Sequence, residues 1–154
     1  PLTEFIRQVL NVEQLFLSQC PHLALTMKVA YEGDTDGWHY DPNDGVITLV
    51  LQTADNGGEF EYAPNIRNKI DQNYAGVDRL FKSPDVEATR LALEPGTFTF
   101  FNGRHSMHRV RSVGSTRQPR IVSIFSFDQR PDHFFAQSYI DKLRRFPQGP
   151  PIVV

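Results

Sequence analysis

The sequence predicts a mainly β protein, an antiparallel double-stranded β-helix (double-sheet jelly roll) with flanking helices. Most of the chain consists of short segments rich in β-branched and aromatic residues, bounded by Gly, Pro, Asn or Asp, as strands are. No strand-helix-strand alternation is present, which argues against a parallel α/β fold. A chain with this many strand segments is typical of a β-sandwich or a barrel. A jelly roll in particular leaves an open mouth between its two sheets.

The length and composition predict one domain. The chain has 154 residues, of which 40% are apolar and 22% charged. This length allows one domain to bury most of its surface but hardly suffices for two, and the composition is that of a globular protein. We therefore predict a single domain over residues 1–154 with its core at about 23–130.

Three segments have the apolar periodicity of helices. A helix is predicted over residues 2–19, where apolar side chains recur at spacings of three and four before Cys20-Pro21 ends it. A second is predicted in residues 65–82, and a third, C-terminal helix at about 132–146, after Pro131. All three are expected to flank the strands.

Seven strands are predicted between these helices. They cover residues 23–31, 46–52, 59–62, 89–93, 97–102, 107–113 and 120–127.

The segment Trp38-His39-Tyr40-Asp41 places two metal-binding side chains on one side of an extended chain. Alternate side chains of such a segment point the same way, so His39 and Asp41 converge while Trp38 and Tyr40 point to the opposite side and can pack. Taken alone, a His-x-Asp pair is equally expected in an ordinary surface loop. Its interpretation as a site depends on a third ligand.

Two histidines compete to be the third ligand. His108 begins a regular predicted strand, whereas His105 lies in a turn that holds a side chain less rigidly, so His108 is preferred. Two histidines and one carboxylate suit a non-heme Fe(II) and leave coordination positions open. A structural zinc site would normally be closed by four ligands, often cysteines, and Cys20 is the only cysteine.

Residues of about 23–130 resemble the 2-oxoglutarate- and Fe(II)-dependent dioxygenases. The resemblance is carried by an ordered set of segments, namely WHYD, GGEFEY, LEPGTFTFFNGRHSMHRV and RIVSIFSFDQRP. Within this superfamily the sequence is most similar to the prolyl-hydroxylase-like branch and to the amino-acid hydroxylases and halogenases.

The resemblance implies a ligand set and a reaction. Fe(II) would be held by His39, Asp41 and His108, and 2-oxoglutarate would bind the iron as co-substrate. Arg120 would hold the far carboxylate of 2-oxoglutarate, with Thr48 as a candidate for a second hydrogen bond. With O2, such enzymes hydroxylate a substrate and release succinate and CO2. In halogenating relatives a small residue replaces the carboxylate, so the presence of Asp41 favours hydroxylation.

The expected substrate is a small molecule, a free amino acid or an amino-acid-like metabolite. Arg67, Arg104 and His105 are polar candidates near the predicted mouth that could contact it, although solvent exposure would explain each of them as well. Two alternatives remain open: a protein (prolyl-type) hydroxylase, and a non-catalytic metal-binding jelly-roll module.

A nucleic-acid substrate and a membrane location are not expected. Five arginines fall within residues 104–120, but the net charge is −2, and the second arginine typical of alkylated-base demethylases is replaced by Ser126. No apolar stretch is long enough to span a bilayer, no signal peptide is evident, and a single cysteine fits a reducing compartment. We expect a cytoplasmic protein and make no prediction of its oligomeric state.

Overall fold

Nine strands and four helices make up the part of the chain that the computed structural model describes, residues 2–20 and 23–144. The strands are β1 (Phe16–Leu17), β2 (Leu25–Ala30), β3 (Asp36–His39), β4 (Gly45–Gln52), β5 (Phe60–Ala63), β6 (Thr89–Leu91), β7 (Phe98–Phe101), β8 (Met107–Val110) and β9 (Arg120–Asp128). The helices are α1 (Leu2–Leu10), α2 (Tyr74–Lys82), α3 (Pro84–Glu87) and α4 (Gln137–Arg144).

The strands form two antiparallel sheets. The larger sheet has the order β1-β9-β4-β7, with β2 also paired to β9, and the smaller has the order β3-β8-β5-β6. The mainly β, antiparallel prediction is therefore confirmed. The seven predicted strands are all present, with ends shifted by a few residues, and β1 and β3 add to them.

The inner faces of the two sheets meet across aromatic side chains. Phe60 of β5 lies 5.2 Å from Phe101 of β7, measured between ring centroids. Because side chains alternate along a strand, the same inner face of β9 carries Arg120, Val122 and Ile124. Thr48 of β4 lies opposite Ile124 and so belongs to this face too.

The N-terminal helix covers one end of the outer face of the larger sheet. Ile6 packs with Leu15, Ile47 and Phe127 in a cluster whose members are all less than a tenth exposed. The helix predicted over residues 2–19 was too long, since α1 ends at Leu10. Asn11 takes a left-handed φ of 50°, which stops the helix, and the chain then pairs with β9 through β1. Side chains of β2 on this outer face, such as Met27, are exposed.

The other helices are also shorter than predicted. The helix expected in residues 65–82 begins only at Tyr74, because Asn73 adopts a left-handed φ of 47° and its side chain caps the helix by accepting from Gly76 N. The C-terminal helix starts at Gln137 rather than at about 132, and its predicted end at 146 lies outside the described residues. Among the described helices, none has the length and apolar character needed to cross a membrane.

Candidate metal centre

Two antiparallel strands bring His39, Asp41 and His108 together. His39 ends β3 and lies directly opposite His108 of β8 in the sheet register, and Asp41 follows two residues later. The Nε2 atom of His39 lies 3.9 Å from Asp41 Oδ1, and that of His108 lies 3.5 Å from Asp41 Oδ2. One ligand atom from each of the three residues falls within 4.8 Å of the others.

Backbone carbonyls orient both histidine rings. Nδ1 of His39 is 2.7 Å from Gly37 O, and Nδ1 of His108 is 2.9 Å from Ser106 O. A carbonyl oxygen only accepts, so Nδ1 carries a proton in each ring, and the neutral form of either ring then has its lone pair on Nε2. The two lone pairs therefore belong to the nitrogens nearest the Asp41 carboxylate, as metal ligation requires.

The Asp41 carboxylate is largely buried, yet one of its oxygens has no hydrogen-bond partner among the described residues. Its side chain is 15% exposed, and Oδ2 is buried without a hydrogen bond among the described residues. An unsatisfied buried carboxylate oxygen is costly, whereas a divalent cation beside it would supply the missing interaction. Together with two neutral imidazole nitrogens, this donor set fits Fe(II) and leaves room for further ligands.

Aromatic rings enclose the His108 side of the group. His108 is 4% exposed, with Phe101 at 4.7 Å and Phe60 at 5.7 Å between ring centroids. His39 contacts the His108 ring at 4.2 Å but is itself 38% exposed. The group is thus dry on one side and open on the other, so a small molecule could reach it.

Arg120 places an unpaired positive charge on the inner face of the larger sheet. It is 7% exposed, and no hydrogen bond or ion pair within residues 2–20 and 23–144 uses its guanidinium. Burial lowers the pKa of Arg120, and the charge of Asp36 opposes this only in part. A buried guanidinium without a partner is suited to binding a carboxylate from outside the chain.

Gly58 makes room for this arginine. Its φ is +73°, and a Cβ atom there would lie 2.9 Å from Arg120 Cδ. The glycine pair at residues 57–58, seen in the sequence as part of a resemblance, therefore has a local role beside Arg120.

Thr48 lies on the same inner face but not beside Arg120. In the register it lies opposite Ile124. Ile124 is four residues from Arg120 along β9, so the two positions are about 13 Å apart along the strand. Its hydroxyl is 2.5 Å from that of Thr99 and shares a hydrogen bond with it. The structure therefore does not bring Thr48 and Arg120 together.

The three predicted substrate residues do lie together, next to the metal group. Arg67 donates from Nε to Arg104 O at 2.8 Å and from its backbone N–H to His105 O at 3.3 Å. Its guanidinium stacks on the Tyr40 ring at 3.5 Å. Arg104 is bound to Asp44 at 3.1 Å and to Pro42 O, so its charge is largely neutralised.

Positive charge surrounds His105. Burial lowers the pKa of its imidazole, and the nearby charges of Arg67, Arg104 and Lys69 lower it further. Nδ1 of His105 is 3.1 Å from the Asn102 side-chain nitrogen, which can donate to it. Neutral His105 and its cationic neighbours form a corner suited to an anion.

Three features near the site had not been identified from the sequence. Gly103 lies against the Asp41 carboxylate. Asp128 is 1% exposed and binds His133 Nδ1 at 3.0 Å. Tyr139 of α4 has a pKa raised by burial and by the charge of Asp41, so this helix lies near the site. Only Gly103 had a sequence signal, as a glycine in the turn before His108.

The remaining arginines of the 104–120 segment are engaged elsewhere. Arg109 and Arg111 donate to Glu61, a carboxylate with 2% exposure on the outer face of the smaller sheet, which also accepts from Arg90. Arg117 binds Asp55 at 3.0 Å. The cluster seen in the sequence therefore divides into separate ion pairs.

The comparisons with known proteins agree with this geometry. Residues 1–139 match the family described as Halogenase D. A 2OG-Fe(II) oxygenase family oxidoreductase from Burkholderia pseudomallei has a similar fold, with a TM-score of 0.60 and 16% identity over 84% of this chain and 51% of that one. This chain thus spans about half the length of that relative.

A second solved structure, a non-heme monooxygenase described as the ThoJ-Ni complex, aligns with a TM-score of 0.46 and 14% identity over 78% of this chain and 59% of that one. No protein with a curated description matches the sequence. The resemblance to the 2-oxoglutarate- and Fe(II)-dependent oxygenase superfamily is confirmed.

Proposed function

The chain belongs to the Halogenase D family, and we propose that it forms a jelly-roll oxygenase that uses Fe(II), 2-oxoglutarate and O2 to hydroxylate a small molecule. One observation carries the proposal. Three ligand side chains converge in the smaller sheet, and a buried, unpaired Arg120 on the inner face of the larger sheet lies against Gly58, two residues before the Phe60 ring that packs on His108. The chemistry of these two groups matches the two ends of a metal-bound keto acid.

We propose that His39, Asp41 and His108 hold the iron. When bound, the iron and its co-substrate supply the oxidising chemistry, with succinate and CO2 as products. The protein residues orient and protect the site: the Gly37 and Ser106 carbonyls keep the imidazole protons on Nδ1. Arg120 would bind the far carboxylate of 2-oxoglutarate through paired N–H donors. Thr48 is proposed only as a residue of the same inner face, without a role in binding this carboxylate.

Hydroxylation is favoured over halogenation in spite of the family's description. The Asp41 carboxylate is present and lies within 4 Å of both histidine Nε2 atoms, so it fills the position that a halide would need. Halogenation remains the second candidate because of the family to which the chain belongs.

The substrate is proposed to be a free amino acid or a similar carboxylate. Of the candidate groups, Arg67 is the best placed, because its guanidinium is held against Tyr40 while Arg104 is already paired with Asp44. His105, next to both arginines, would donate to the same carboxylate from Nε2, because its Nδ1 accepts from the Asn102 side chain. The paired arginines elsewhere support a small-molecule substrate rather than a nucleic acid.

The first test is an anaerobic titration with Fe(II) followed by 2-oxoglutarate, watched for the weak visible charge-transfer band of the chelate. The expected band should appear in the wild type and disappear in Arg120→Met with iron still bound. Succinate release would then be screened over free amino acids and, in parallel, over proline-containing peptides, with and without chloride. Bound iron without a band or succinate would leave only a metal-binding module.

A further inference from the structure

Gly103 is in direct contact with the carboxylate of Asp41. It lies buried in the turn between β7 and β8, and its carbonyl oxygen accepts a hydrogen bond from Asp41 N at 3.0 Å. The backbone of one proposed ligand is therefore fixed by the backbone of Gly103. The turn also leads directly into the strand that carries His108.

A side chain at position 103 would collide with this carboxylate. A Cβ atom built on Gly103 would lie 1.8 Å from Asp41 Oδ2, 2.6 Å from its Cγ and 3.0 Å from its Cβ. Gly103 is not among the described residues with positive φ, so its backbone conformation is open to alanine. The three atoms nearest to such a Cβ all belong to Asp41.

The carboxylate also lies close to both imidazole rings. On its other side, Oδ2 faces His108 Nε2 at 3.5 Å, and Oδ1 faces His39 Nε2 at 3.9 Å. Oδ2 is buried and makes no hydrogen bond within the described residues that would draw it toward Gly103. Packing against the Gly103 backbone, rather than attraction, therefore sets its position.

We propose that Gly103 is a positioning residue that holds the Asp41 carboxylate toward His39 and His108, and that the residues at positions 41 and 103 depend on each other. A carboxylate at position 41 requires the absence of a side chain at position 103. Glycine at position 41 would remove all three contacts, whereas alanine would keep the contact with Cβ at 3.0 Å. The expected effect on metal affinity rests on the proposed function. The steric dependence between positions 41 and 103 does not, because it exists without any metal.

A double-mutant cycle tests this dependence with wild type, Gly103→Ala, Asp41→Gly and the double variant; glycine is used because alanine would keep the Cβ atom 3.0 Å from the added methyl. Chemical unfolding without metal gives the stability of each variant, and Co(II) titration gives the metal affinity. We expect Gly103→Ala to lower stability and to weaken Co(II) binding by at least about tenfold, because a displaced ligand binds the metal less well, as a ligand does that has lost its supporting hydrogen bond. In the Asp41→Gly background the same alanine should have little effect on stability, giving a strong non-additive coupling.

The matched control is Gly96→Ala. Gly96 has a φ of +88° and no atom within 4 Å of an added Cβ, so this alanine strains the backbone without crowding anything. It should lower stability while leaving Co(II) affinity unchanged, which separates general destabilisation from ligand displacement.

Additive effects of the two substitutions, or wild-type Co(II) affinity in Gly103→Ala, would overturn the proposal. If Gly103→Ala does not fold, the double variant with Asp41→Gly decides: it should fold as well as Asp41→Gly alone, and its failure to fold would also overturn the proposal. The coupling is measured without metal, so it would survive a failure of the Fe(II) and 2-oxoglutarate assignment and can be judged separately.

Discussion

The Nε2 atom of His108 lies 3.5 Å from Oδ2 of Asp41, and that oxygen is buried without a hydrogen bond from any residue that the structure describes. His108 comes from the middle of a strand and Asp41 from the loop beyond another, so only the pairing of β3 with β8 brings them together. This pair gives the site its character, a carboxylate and an imidazole facing one another across a space that a cation would fill.

Loss of any one of the three proposed ligands should weaken metal binding. His39→Ala, Asp41→Ala and His108→Ala are each expected to lower Co(II) or Fe(II) affinity by about 100-fold or more. Loss of a residue that binds the metal should weaken affinity at least as much as loss of a residue that only hydrogen-bonds to a ligand. Anaerobic calorimetric titration measures this. Without metal, Asp41→Ala should unfold at an equal or higher temperature, since it removes an unsatisfied buried oxygen.

His105→Ala is the matched control for these variants, because His105 was the competing third ligand in the sequence. It should retain wild-type metal affinity. Retention by His108→Ala and loss by His105→Ala would show that the wrong histidine has been assigned.

Replacing Arg120 by methionine should separate protein stability from co-substrate binding. The guanidinium is 7% exposed and has no ion-pair partner among the described residues, so removing its charge should leave the free energy of unfolding unchanged or raise it. Affinity for 2-oxoglutarate should fall by about 100-fold or more, because the bound carboxylate would lose its buried partner. Calorimetry with the metal-loaded protein gives the second quantity.

Lys28→Met is the control for general loss of positive charge. Lys28 lies on the same inner face but already binds Asp36. It should change 2-oxoglutarate affinity only slightly. An equal loss in both variants would mean that overall charge, and not the Arg120 guanidinium, attracts the co-substrate.

Glu61→Gln should destabilise the smaller sheet and alter its acid sensitivity. Burial alone would raise the pKa of Glu61, but hydrogen bonds from Arg109, Arg111 and Arg90 bring it below its ordinary value of 4.5. A carboxyl whose pKa is lower in the folded state stabilises the fold above its unfolded pKa, and this contribution is lost as pH falls through the folded value. At pH 7 the variant should lose about 3 kcal/mol of unfolding free energy.

Urea unfolding at a series of pH values checks this prediction. The difference between wild type and Glu61→Gln should shrink as pH falls below 4.5. Glu59→Gln, whose carboxylate is 38% exposed and 3.9 Å from Arg111, should change stability by less than about 0.5 kcal/mol at any pH. A difference for Glu61→Gln that does not vary with pH would contradict the assigned charge state.

Arg67→Met should impair substrate binding more than metal or co-substrate binding. For a carboxylate substrate found by the succinate screen, we expect KM to rise by about 10- to 100-fold, because the guanidinium would no longer face the carboxylate. Metal affinity should be retained. Arg104→Met, which removes an arginine already paired with Asp44, should raise KM less. A larger effect at Arg104 would reverse the assignment.

Much of the fold could be predicted because strands carry their signal locally. The strand ending at Asp128 was predicted to within one residue, since its alternating apolar residues record which face is buried. Helix lengths could not be predicted as well. Phe16 continued the apolar periodicity of α1, but Asn11 takes a left-handed conformation that ends this helix, and Phe16 pairs with β9 instead. Asn73 also takes a left-handed conformation, and α2 begins only after it.

The candidate site, like the fold, could be predicted from the sequence only in part. The sequence by itself determined which residue types were available: two histidines and an aspartate for a metal, and an arginine at the start of an apolar strand. Only the tertiary structure decided that the two histidines and the aspartate lie together, that Thr48 does not lie beside Arg120, and that Gly103 faces Asp41. The physical reason is that alternation along a strand is a local property, whereas distances across two sheets depend on register and on the close approach of backbone segments far apart in the chain.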